Sequence, residues 1–223
     1  MSLQELINHP MPVYSKKEEK FNTVSHFIGI ILGTFFLFFG LYISLINKLK
    51  PIEFFSVIVF SLSVIMLYSM STIYHGLNKN KLSKRIMRIV DHCTIYLLIA
   101  GTYTPICIIS LFCSIEGVIL LIFEWVCAII GVIINAIALN KKTIEILSMI
   151  LYLISGWMIV LFPNSIELLP NKSFFFILLG GIIYTIGSVL YGIGAKKKWF
   201  HSIFHIFCLL GTIFQSIGIF ILI

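Results

Sequence analysis

The chain has 223 residues, 59% hydrophobic and 11% charged, with a net charge of +7 and a mean hydropathy of +1.06. Soluble domains are nearer half apolar and a quarter charged, so this composition excludes an ordinary water-soluble enzyme. The basic residues lie in loops between apolar runs, which argues against a nucleic-acid partner and for a membrane.

Met1 to Lys20 is polar and carries no cleavable leader pattern, so residues 1–23 read as a short cytoplasmic tail. Apolar runs then predict spans at 24–46, 52–75, 89–111, 117–139, 143–162, 173–194 and 200–222. Residues 24–223 thus form one transmembrane domain, an all-α bundle of seven helices. Polar breaks such as "NKLKP", "GLNKNKLSKRIMR", "NKK" and "KKK" separate the spans.

The breaks also orient the chain. All but three of the 16 basic residues fall in the tail, the second-to-third, the fourth-to-fifth and the sixth-to-seventh breaks; Lys48, Lys50 and Lys172 are the exceptions. The positive-inside rule places those breaks and the N-terminus in the cytoplasm and the C-terminus outside. The compartment expected is the plasma membrane.

His26 opens the first span, His75 ends the second, Asp91 and His92 open the third, and His201 and His205 open the seventh. Five of the six histidines therefore share one depth, at the cytoplasmic edge, and His9 lies in the tail. His201 and His205, at i and i+4, present two imidazoles from one helix face, and Ser71 and His75 have the same spacing. Three imidazoles with an open position match a catalytic zinc site, whereas histidines at an interface can also simply be solvated. Depth alone does not bring spans two, three and seven into contact. The five cysteines have no CxxC spacing and read as small buried residues.

The chain resembles the hemolysin III family, bacterial relatives of the progestin-and-adipoQ receptors and of the alkaline ceramidases. The stretches that carry the resemblance are "EEKFNTVSH", "SMSTIYHG", "RIVDHCTIYLLIAGTYTP", the "GW" of span five, "GGIIYTIGSVLYG" and "HSIFH". The resemblance implies a seven-helix bundle with zinc near the cytoplasmic face. His75, His201 and His205 would be its ligands, Asp91 would hold the attacking water, and Ser71 would stand close by. Glu19, Asn22 and His26 match the family's span-one motif and are expected around the site, with Asn22 also suited to cap the helix start. Glu19 is expected to bond a neighbouring ring or a basic loop residue.

The function expected on these grounds is zinc-dependent hydrolysis of a lipid amide or ester, with Asp91 as general base and Ser71 as hydrogen-bond donor. Membrane lipids are then the partners. Two other classes compete. A pore or cytolysin needs a polar path across the bilayer, and Glu124 is the main polar residue beyond the cytoplasmic edge. A sensor with structural zinc is the other, although outer loops this short leave no room for a large extracellular ligand. Glu124, between Phe123 and Trp125, is costly in mid-span unless it is protonated, paired with a Tyr or Ser, or facing a cavity. Pro105 should kink span three. Gly29, Gly33, Gly180, Gly181, Gly187, Gly192 and Gly194 suit close helix packing. Tyr184 and Tyr191 share a face of span six, and Trp199 suits an interfacial anchor.

Overall fold

A computed structural model describes residues 11–78, 81–138, 141–194 and 197–223. His9, Lys79 and Lys196 lie outside the described residues. Among the described residues the structure is helical throughout, and seven helices are long and apolar enough to cross a membrane. They are α1 (Lys16–Ile46), α2 (Pro51–Gly76), α3 (Leu82–Pro105), α4 (Ile115–Ala138), α5 (Lys142–Trp157), α7 (Asn171–Gly194) and α8 (Phe200–Leu222). A short α6 (Pro163–Glu167) sits between α5 and α7.

The predicted spans are all present, but two begin earlier than hydropathy indicates. Helix α1 starts at Lys16 rather than at residue 24, so the last third of the expected tail is helical. At about 1.5 Å per residue its 31 residues reach roughly 46 Å, well beyond the hydrocarbon core of about 30 Å. Its first turns are therefore polar and outside the apolar window. The N-cap is Ser15, not Asn22: Ser15 Oγ accepts from Glu18 N while Glu18 Oε2 accepts from Ser15 N at 2.9 Å. Asn22 lies further along the helix, where its side chain is free for another role.

Pro105 lacks the N–H that would continue α3, and the chain passes directly into a π turn over Ile106–Ser110. Helix α5 likewise tightens into a 3-10 turn, Met158–Leu161, after "GW". Helix α3 is the centre of the bundle, with 72% of its most apolar window buried, against 17% for α5 on the outside.

Several glycines set the helix spacing. A Cβ on Gly29 would lie 2.3 Å from the Tyr68 ring, which locks α1 onto α2, and Gly180 and Gly211 bring α7 against α8 in the same way. Gly181 and Gly192 do not have this role, since a Cβ there meets only ordinary contacts. At the polar end, a Cβ on Gly194 would lie 2.8 Å from His201 N, so the end of α7 passes directly over the start of α8. Trp199 turns the chain with φ 68°, and its N–H donates to Glu18 Oε1 at 2.7 Å, tying α8 to α1.

Cys93, Cys107 and Cys208 are buried as expected, Cys127 is half-buried, and Cys113 is exposed; all five are free.

Candidate metal centre

The histidines at the end of α2 and the start of α8 converge. His201 Nε2 lies 3.4 Å from His75 Nε2 and 3.1 Å from His205 Nε2. All three side chains are buried, and their ligand atoms lie within 4.8 Å of one another. The contact across spans that depth could not supply is therefore present.

The outer nitrogens of two rings are held from behind by α1. Glu19 Oε2 lies 2.7 Å from His75 Nδ1, and Asn22 Nδ2 is 3.5 Å from the same atom. A carboxylate accepts, so His75 carries its proton on Nδ1 and presents a lone pair on Nε2. Ser25 donates its hydroxyl proton to Asn22 O at 3.0 Å, so toward His205 Nδ1, at 3.4 Å, it acts as acceptor. His205 is thereby left with a bare Nε2 as well. Two bare Nε2 atoms facing His201 Nε2 in a buried site call for a positive partner between them, which a cation, or a proton carried by His201, supplies.

Three nitrogens about 2.0–2.1 Å from a tetrahedral zinc would be about 3.3 Å apart. The two Nε2 separations from His201, 3.4 and 3.1 Å, bracket that value, so the donor set suits such an ion in chemistry and in these two spacings. A carboxylate behind a ligating imidazole is also the usual support of such a site.

The remaining expected residues surround this point. Asp91 lines the cavity that adjoins the triad, and the Ser71 hydroxyl faces its carboxylate. Asp91 is not one of the clustered ligands. His26 stacks on His205 with ring centroids 3.6 Å apart and lines the same cavity; neither of its nitrogens has a hydrogen-bond partner. Glu19 makes both bonds anticipated for it, since Lys84 Nζ reaches Glu19 Oε1 at 2.7 Å. Lys84 also donates to the carbonyls of His75 and Leu77, closing the end of α2.

The cavity has a volume of about 180 Å³ and a mostly apolar wall. It runs from Tyr14 and His201, past Asp91 and Tyr191, to Ile106 and Ile177. It is slightly larger than the cavity of about 150 Å³ that admits benzene, so it takes a short length of an apolar chain. Arg88 and Glu145 form an ion pair in its wall, joining α3 to α5. Tyr184 OH bonds Thr212 Oγ1 at 2.6 Å, and Tyr191 lies 5.6 Å from the His201 ring. Glu124 is not among the described residues that line this cavity; it faces Ser155.

Residues 14–216 match the family model described as Haemolysin-III related. The chain belongs to the hemolysin III family. It is 34% identical over 201 residues to the "Hemolysin-3 homolog" of Bacillus subtilis (strain 168), covering 90% of this chain and 92% of that protein. It is also 36% identical over 200 residues to the "Hemolysin-3" of Bacillus cereus, covering 88% and 87%. With seven apolar helices, this hemolysin III protein is a multi-pass protein of the plasma membrane.

Two residues at the centre of this hemolysin III site were not anticipated. Ser25 belongs to a stripe on α1 (Glu18, Asn22, Ser25, Gly29, Gly33, Phe36) whose spacing of three and four marks one buried face. Tyr14 stacks on the His201 ring at 4.7 Å and 23°, closing the triad on the N-terminal side. Burial pushes its phenol well above the ordinary tyrosine range. A lone tyrosine in a polar segment has no periodicity to signal it.

Proposed function

We propose that this protein is a zinc-dependent hydrolase that cleaves an amide or ester of a membrane lipid, with its site at the cytoplasmic face. The observation that carries the reading is the convergence of three imidazole Nε2 atoms beside a carboxylate, at the polar end of an apolar cavity. His75, His201 and His205 would hold the ion. When bound, zinc supplies a Lewis acid that polarises a carbonyl and brings the acidity of water near neutrality.

The chain's own residues do the rest. Glu19 and Ser25 fix the tautomers and orientations of His75 and His205. Asp91 accepts a proton from the attacking water and returns it to the leaving group. Ser71 orients the Asp91 carboxylate. The apolar wall seats the acyl chain, and Tyr14 keeps bulk water off the imidazoles. The cluster of Lys and Arg at the same end supports the cytoplasmic placement.

Asp91→Ala tests the role of the base. Cleavage of a lipid amide or ester by purified protein should fall by roughly 10²–10⁴-fold while bound zinc stays at the wild-type level. Turnover that survives the substitution would remove Asp91 from the reaction.

A further inference from the structure

An acidic side chain midway along α4 has no part in the imidazole site. Glu124 is 1% exposed, and its Oε1 is buried without a hydrogen-bond partner. The Ser155 hydroxyl on α5 faces the carboxyl. The titratable groups around it are Tyr103 on α3, Cys107 in the π turn that follows α3, and Cys127 on α4 itself. Among the described residues no Lys, Arg or His is paired with it. A carboxylate without water, counter-ion or a full set of donors is expensive in a bilayer, so the acid form is the one this seam accommodates.

We propose that Glu124 is a proton-binding site in the α4–α5 seam, exchanging between a packed acid form and an ionised form that the seam expels. The seam connects to the cavity through its neighbours. Ser155 precedes Gly156, whose carbonyl accepts from Tyr103 OH at 3.1 Å, and Tyr103 OH accepts from Ile159 N at 3.3 Å. Tyr103, Gly156 and Ile159 all line the cavity. Ionisation of Glu124 would load α5, the least buried span, rather than the central α3. Loss of the proton therefore loosens one wall of the cavity, and the site acts as an alkaline release.

Dicyclohexylcarbodiimide tests this on the full chain in liposomes, because it partitions into lipid and reacts with protonated carboxyls. The acid proton passes to a carbodiimide nitrogen and the carboxyl oxygen bonds to the central carbon. The acyl group then migrates to nitrogen, giving a stable N-acylurea with no atom lost. Peptide mass spectrometry should find the label on Glu124 at mildly acid pH. Labelling should decline as pH rises, by about tenfold per unit once ionisation is complete. Wild-type protein should also lose thermal stability as pH rises from the ordinary carboxylate range to the point where Glu124 ionises in the folded chain, and Glu124→Gln, neutral at every pH, should lose less. An unlabelled Glu124, a label that does not change with pH, or an equal loss over that pH range in Glu124→Gln would each overturn the proposal. If Glu124→Gln does not fold, the wild-type labelling profile decides alone.

Discussion

The imidazole triad and Glu124 are both buried polar clusters, and they differ in what each leaves unsatisfied. At the triad, α1 satisfies the outer nitrogens of His75 and His205 and leaves the inner ones facing each other. At Glu124, one hydroxyl faces the carboxyl and Oε1 has no hydrogen-bond partner. Converging imidazole nitrogens suit a cation of small radius; a lone carboxyl needs only a proton. The pattern of support, more than burial itself, distinguishes a metal centre from a protonation site.

Glu19→Ala gives the larger of two effects that would sharpen this contrast. It removes the acceptor behind His75 and strands Lys84, and zinc affinity should weaken by roughly 10–100-fold. Competition with a chelator of known affinity measures it. Unchanged affinity would mean that the carboxylate serves Lys84 and the end of α2 rather than the ring. Ser155→Ala should be milder, costing about 1 kcal/mol, the range of single side-chain hydrogen bonds inside membranes. A melting temperature lower by a few degrees, with bound zinc unaffected, is the expected result. Loss of zinc in Ser155→Ala would show that the two clusters are not independent.

Much of this architecture was legible in the residues themselves. Hydropathy marks the part of a helix that touches lipid, so all seven spans could be read, while the polar first turns of α1 and α3 could not. The common depth of His75, His201 and His205 followed from their positions at span ends. Their contact did not, because His75 and His201 are 126 residues apart and Ser25 and His205 are 180 apart. Those separations close only through helix packing, which depends on shape: Gly29 against Tyr68, and Gly194 over His201. Tyr14 was invisible for a different reason, since a stacking partner outside a helix follows no period.

The most direct measurement is the metal content of the purified wild type beside His75→Ala, His201→Ala and His205→Ala. The account predicts close to one zinc per chain in the wild type and a near-complete loss in each variant. Wild-type protein free of metal after purification without chelators, or full occupancy in any of the three variants, would contradict it.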